Sequence, residues 1–492
     1  MKKLLWVFPI LFLIDNVLGL NGYQFTIFGV GIRIVLFALS VISLCLHCLY
    51  TAKEEHIALW KGKPGQKRLL DYCRPLDGFV LGFLVLNFLW ATLVPLLKKG
   101  SLSYAINDFN TLCVLVLYFP CAFLIRTRQL TFRGISKWLF PLLLLLALWH
   151  SVMYVGEVLA PGFYAGYYDF IDTISFGTAV RTEVVMGYGI TRIIQVTSVL
   201  LIPAFLMTLE ETAAKVRPII LAAMALVMFA ILITYTKSIW FGVLAGLAVA
   251  LLGILIFAAN ALVRKRVAVF TLAIVVCFVV FNFGFLDNTI ITRTLNSARP
   301  DRIASLESQI TDLQQQLSQM EKEDTSTETA PTGQTSTPLT KEEIASQLQE
   351  LESKRQDASG TAASNEMRSV QNTALLRKWS QSKLLGHGYG AYAEDCIRNE
   401  TPYLYESLIP AMFMKLGIAG LLGWGVFVLA MVVFAVKYMW KTPVRFWCWI
   451  GTALAYAMAV QTNPFLFTFA GISLMLYLLL ILADAQEDGK NK

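Results

Sequence analysis

Charge is what this chain has least of. Asp, Glu, Lys and Arg make up 15% of its 492 residues, apolar types make up 56%, and the mean hydropathy is +0.61. Soluble domains carry about 25% charged residues, so this composition excludes that class. Histidine is scarce as well. Of the four, His47 and His150 lie in apolar runs, His56 in a basic loop and His387 far downstream, a scatter without zinc spacing. Eight cysteines make no disulfide framework, because Cys45, Cys48, Cys113, Cys121, Cys277 and Cys448 lie in or beside apolar runs and Cys73 in a basic loop. Only Cys396 falls in the long polar segment, where it has no partner. Walker, Rossmann and zinc-protease patterns are missing too.

What fills the chain instead is span-length apolar sequence. A hydrocarbon layer of roughly 30 Å takes about 20 residues of helix, and runs of that length recur about 12 times. They lie near residues 4–20, 27–50, 77–97, 104–125, 138–158, 188–209, 218–235, 239–259, 267–286, 406–436, 447–461 and 465–483. The first run holds Asp15 and Asn16 and lacks a small-x-small cleavage site, which reads as a retained anchor. The expected fold is therefore an all-α polytopic membrane protein with about 12 transmembrane helices. Its regions are a nine-helix part over 1–286, an extracytoplasmic segment over 287–405 and a three-helix part over 406–492.

Basic residues sort the loops. Those at 51–76, 126–137, 210–217, 260–266 and 437–446, and both termini, are rich in Lys and Arg, whereas the alternate short loops hold little beyond Lys98, Lys99, Arg181 and Lys237. The positive-inside rule then makes both termini cytoplasmic. The net charge of +8 is largely this topogenic signal and calls for no nucleic acid.

Within the polar segment, Ile303, Leu306, Ile310, Leu313, Leu317 and Met320 keep alternating three- and four-residue spacing, an a/d seam. A Thr-, Ser-, Pro- and Gly-rich tip over 325–340 follows, and then Ile344, Leu348 and Leu351 line one face. Together they read as a coiled-coil hairpin over 301–358: a docking arm for a partner such as a chain-length regulator, a surface for self-association, or a tolerated insertion. Residues 358–365 are small and polar and read as a linker, after which an arginine-bearing helix starts near Arg368. That helix ends in Leu384-Leu385-Gly386-His387-Gly388-Tyr389-Gly390, where alternate glycines permit positive φ and close backbone approach.

An arginine-led helix, this Gly-rich turn and the later Leu416-Gly417-Ile418-Ala419-Gly420-Leu421 form an order of elements that resembles the O-antigen polymerase and ligase superfamily. Ile233-Thr234-Tyr235-Thr236-Lys237-Ser238 and Thr462-Asn463-Pro464 resemble its other polar breaks. Glu406-Ser407 stands where that family usually has a polar pair such as His-Asn. The missing histidine and the hairpin lean toward a polymerase over a ligase. The resemblance implies an integral-membrane glycosyltransferase in a bacterial cytoplasmic membrane, with a polyprenyl-diphosphate-linked oligosaccharide and membrane lipid as its partners and no cofactor.

Such a donor requires fixed cations for its leaving diphosphate, and arginine offers a bidentate, permanently charged fork. The candidates are Arg192, Arg368, Arg181 and Lys237, with Arg293, Arg299 and Arg377 behind them. An arginine such as Arg192 inside hydrocarbon costs about 3 kcal/mol and usually faces a polar cavity, although snorkelling to headgroups is its bland explanation. Glu406 is the candidate general base, or else a carboxylate that complements a helix dipole, and His387 is the alternative base. Neither role needs a metal ion. Asp108 and Arg33 read as an ion pair joining helices, and Lys415 reads as facing the cavity of Glu406. The aromatic residues Phe163, Tyr164, Tyr167, Tyr168 and Phe170 read as an interfacial belt. A transporter and a scaffold that displays the hairpin are the rival classes.

Overall fold

The computed structural model describes residues 2–488 except 19–22, 28–29, 59, 61–62, 65, 161, 164–165, 168, 171–178, 182–185, 188–189, 192–217, 235, 285, 287–301, 326–340, 398–401 and 462–463. The sixth expected span, Tyr164, Tyr168, Arg293, Arg299 and Asn463 lie outside the described residues, as does Arg192.

Fourteen α-helices are described, in chain order α1 (Val7–Leu18), α2 (Ile32–Glu54), α3 (Pro75–Leu97), α4 (Leu102–Phe109), α5 (Tyr118–Arg126), α6 (Phe132–Leu159), α7 (Pro218–Leu232), α8 (Lys237–Phe257), α9 (Ala261–Gly284), α10 (Arg302–Thr325), α11 (Lys341–Ser380), α12 (Leu408–Met439), α13 (Pro443–Val460) and α14 (Phe469–Asp488). Seven described helical stretches are long and apolar enough to cross a membrane: α2, α3, Leu102–Arg126, Trp138–Leu159, α8, α9 and α12. Strips of large apolar side chains on two of them stay exposed, among them Leu272, Val276, Val279 and Phe283 on α9 and Leu422, Val426, Leu429 and Val433 on α12. Surfaces of that kind suit hydrocarbon as the solvent.

The helices start where local chemistry supplies caps. Pro75 opens α3, and the Asp77 carboxylate accepts the Arg74 N–H at 2.9 Å. Thr131 caps α6 by accepting the Gly134 N–H at 3.0 Å. Two short sheets depart from all-α among the described residues: Tyr23–Ile27 (β1) pairs antiparallel with Val30–Gly31 (β2) and with Ala179–Arg181 (β3), and Met186–Gly187 (β4) pairs with Ile190–Thr191 (β5).

Contacts divide the chain into two compact units. The larger holds the membrane helices and includes Gln371–Lys492, so residues 371–405 belong with the helices and not with the polar segment. The smaller holds Asn282–Val370, in which Ile310, Ile344 and Leu348 form a buried cluster with Leu313, Leu317 and Leu351 packed against it. The expected linker over 358–365 is helix instead, part of a continuous α11. Ala358, Ala362 and Ala363 favour helix, no proline interrupts, and one glycine costs only about 1 kcal/mol.

In the larger unit, ion pairs anchor the basic loops. Asp77 takes both guanidinium nitrogens of Arg126 at 2.6 Å and the Tyr118 hydroxyl at 2.8 Å. Arg74 reaches Glu487, Arg445 reaches Asp484 and Asp488, and Lys2 reaches Glu54. Among the described residues, the basic loops at 51–76, 126–137 and 437–446 are thus tied to neighbouring helix ends and to the terminal segments.

Helices α8 and α13 pack backbone against backbone. A Cβ at Gly246 would strike the Gly451 carbonyl oxygen, and one at Gly451 would strike that of Gly246. Small residues let the two backbones touch, which drives helix association where lipid is as apolar as the side chains. Gly246→Leu is expected to lower stability by about 1–3 kcal/mol or more, read as a lower melting temperature in detergent. Gly425→Leu, where a Cβ meets nothing within 4 Å, should leave that temperature unchanged.

Candidate functional site

The site grows from a break in α12. This helix has 32 residues, about 48 Å at 1.5 Å per residue, more than a bilayer core needs. At Gly417 the backbone leaves helical geometry (φ 62°, ψ −171°). Residues 418–439 alone measure about 33 Å, enough to cross a bilayer core without the turns that precede the break.

A broken helix strands carbonyls on one side and N–H groups on the other. The Gly-rich turn saturates them. The His387 and Gly388 N–H groups donate to the Met414 and Lys415 carbonyls at 2.9 and 2.8 Å. The Ile418 and Ala419 N–H groups donate to the Lys383 and Leu384 carbonyls, both at 2.9 Å. The Trp90 indole on α3 donates to the Leu385 and Leu416 carbonyls at 2.9 Å. Gly386, Gly388 and Gly390 all have positive φ, and a Cβ on Gly390 would enter the Tyr104–Ala105 backbone of α4.

Under the turn lies a buried ion pair. The Lys415 ammonium donates to Asp108 Oδ2 at 2.5 Å, with side chains 1% and 0% exposed. The same oxygen accepts the Gly390 N–H at 2.9 Å, while Oδ1 accepts no hydrogen bond among the described residues. The ammonium also faces the rings of Phe467 at 4.8 Å and Tyr403 at 5.8 Å. Beside the pair, Asn87 Oδ1 accepts from the Tyr389 hydroxyl at 2.5 Å and the Trp424 indole at 2.9 Å. Asp108 sits at the end of α4, where the chain tightens into a 3₁₀ stretch over Asn110–Leu117, longer than such stretches usually run.

His387 is half-buried, and its Nε2 lies 2.8 Å from the Lys378 carbonyl oxygen. A carbonyl only accepts, so Nε2 carries the proton in the neutral ring and Nδ1 is left as the basic nitrogen. Burial is the main cause that lowers its pKa below the usual value, and the charges of Lys378 and Lys98 act the same way. The ring is therefore neutral near pH 7. Burial also pushes the Tyr389 phenol well above its usual range, so it stays a donor to Asn87.

The candidates read from sequence are spread out. Glu406 is half-buried just ahead of Ser407, the residue that precedes α12. Lys237 begins α8. Arg181 is in β3, in register with Tyr23, and its side chain lies outside the described ones. Arg368 is on α11 in the smaller unit, and Arg377 pairs with Asp395 at 2.9 Å. Arg192 lies outside the described residues. Two expected charge partnerships are corrected. Arg33 pairs with Asp15 at 2.6 Å, its neighbour across the short α1–α2 connection, and not with Asp108. Lys415 is committed to Asp108. Asn87, Trp90 and Trp424, polar groups inside apolar runs, escaped the sequence reading because indoles and amides in spans carry no charge signal.

No family model matches the chain, and neither a curated protein nor a solved structure is significantly similar to it.

The lowered pKa of His387 gives a sign-definite expectation. Between its folded pKa and 6.5 the unfolded chain binds the extra proton, so this group makes stability fall as pH drops through that window. Its proton NMR titration in detergent should have a midpoint below 6.5. Removing Lys98 and Lys378 together by glutamine should move that midpoint upward.

Proposed function

We propose that this chain is a membrane glycosyltransferase that polymerises lipid-linked oligosaccharide repeat units at the outer face of a bacterial cytoplasmic membrane. In this reading it has about 12 spans and cytoplasmic termini. The observation that carries the reading is the seat of Gly386 on Gly417: a Cβ on Gly386 would lie 2.6 Å from the Gly417 nitrogen. The two motifs that bear the resemblance to O-antigen polymerases and ligases, distant in sequence, are one structural unit.

The chemistry follows from a polyprenyl-diphosphate donor. An acceptor hydroxyl oxygen forms a bond to the anomeric carbon while the bond from that carbon to the diphosphate oxygen breaks. The diphosphate leaves with the electron pair, and a base takes the hydroxyl proton. Glu406 or the neutral His387 serves as that base. Arg192, Arg181 and Lys237 neutralise the leaving diphosphate, the part a divalent ion plays in many glycosyltransferases, and Arg368 is a further cation that the resemblance implies. One displacement inverts the anomeric centre without a covalent enzyme intermediate. The coiled-coil hairpin is an accessory arm that sets chain length through a regulator or a second copy. A discontinuous helix also suits a transporter, which is the second reading.

Deleting the gene is expected to leave single repeat units on the lipid carrier, read from the lipid-linked glycan profile. Long chains that stay on the carrier would make the protein a ligase, and an unchanged profile would favour the transporter. Arg368→Ala and Arg192→Ala should each lower polymer output by roughly a hundredfold. Removing residues 301–358 should preserve polymerisation and change the distribution of chain lengths on a polyacrylamide gel.

A further inference from the structure

The Asp108–Lys415 pair is poorly made for stability. It is buried, one carboxylate oxygen has no hydrogen bond among the described residues, and among those residues the ammonium donates to Asp108 alone. A buried pair with incomplete hydrogen bonding seldom outperforms well-packed neutral residues of similar volume. What the pair does have is connectivity. Asp108 Oδ2 holds the Gly390 N–H at one end of the turn. The Lys415 and Met414 carbonyls hold Gly388 and His387 at the other. Two backbone anchors of the His387 loop, Gly390 on Asp108 and Gly388 on Lys415, therefore end on the residues the ion pair ties together, one on α4 and one on α12, while the Tyr389 N–H between them is held by the Trp90 carbonyl at 3.0 Å.

We infer that Asp108 and Lys415 are positioning residues whose charge pairing sets the register of the Gly386–Gly390 turn between α4 and α12 and so holds His387 in its working geometry. The part of this inference that concerns turnover rests on the glycosyltransferase reading; the part that concerns the loop does not. The pair acts through the turn and needs no contact with substrate. The Tyr389–Asn87–Trp424 hydrogen bonds flank the same loop and keep it on the protein when the charges are removed. The expected lesion is therefore a shifted loop, not an unfolded protein.

The test compares the full-length wild type in detergent with the double variant Asp108→Asn/Lys415→Met, which leaves no buried charge unpaired. Three quantities are read: melting temperature, the rate at which diethyl pyrocarbonate modifies His387 at fixed pH by peptide mass spectrometry, and polymerisation of the cell's own lipid-linked repeat units in membrane vesicles. The double variant is expected to melt at or above the wild-type temperature and to be modified several-fold faster at His387. Its kcat should fall roughly tenfold to a hundredfold, with KM nearly unchanged. Asp108→Asn alone, which strands the Lys415 charge, should melt lower than the double variant. A folded double variant with wild-type His387 reactivity overturns the inference, and so does a double variant that cannot fold, because the pair is then structural. If wild-type vesicles make no polymer, the glycosyltransferase reading falls while the His387 comparison still decides the positioning role.

Discussion

Everything at the candidate site depends on how one interrupted helix satisfies its backbone. Breaking α12 at Gly417 exposes carbonyls and N–H groups near a medium that offers no water to replace them. The Gly-rich turn meets that demand from both sides, giving N–H groups to Met414 and Lys415 and carbonyls to Ile418 and Ala419. The exchange requires backbone against backbone, and the three positive-φ glycines of the turn are what permit it. An irregular loop is thereby seated on the spans by backbone hydrogen bonds of the kind that build secondary structure.

Electrostatics divides the larger unit into two regimes. Beside the basic loops, Asp77–Arg126 and Arg445–Asp484 join α3 to α5 and α13 to α14 at helix ends. Asp77 in the first turn of α3 and Arg126 in the last turn of α5 complement their helix dipoles, and their bidentate geometry suits that pair to fixing one arrangement of helices. Beneath the turn the buried pair Lys415–Asp108 is incompletely bonded among the described residues and faces the aromatic rings of Phe467 and Tyr403. The first set resembles mortar, and the second is the arrangement expected where geometry is held at the expense of stability. A neutral His387 with its basic nitrogen defined by the Lys378 carbonyl stands directly on this second region.

Much of this was legible in the chain, and the limits are instructive. The alternate glycines at 386, 388 and 390 and the Gly417–Gly420 spacing both stand out because glycine at a helix margin has few other uses. That the two meet is invisible in sequence, since neither predicts the other's partner. Charged residues inside apolar runs flagged Asp108, Arg33 and Lys415 individually. Their pairing went wrong for the same reason: a charge in a span announces its need for a partner without naming one. The linker expected over 358–365 failed differently. Small residues permit a bend, but alanine-rich sequence flanked by established helix on both sides extends more cheaply than it breaks.

The chain alone determined the properties that come from contact with solvent. Span-length apolar runs and the segregation of Lys and Arg among the loops answer to hydrocarbon and water, and each is decided within a few tens of residues. Only the tertiary structure decided which polar groups satisfy one another, because those partners are remote: Lys415 lies 307 residues from Asp108, and Tyr389 lies 302 from Asn87. A buried hydrogen bond is specified by three-dimensional proximity inside a low-dielectric interior, and no local pattern records it.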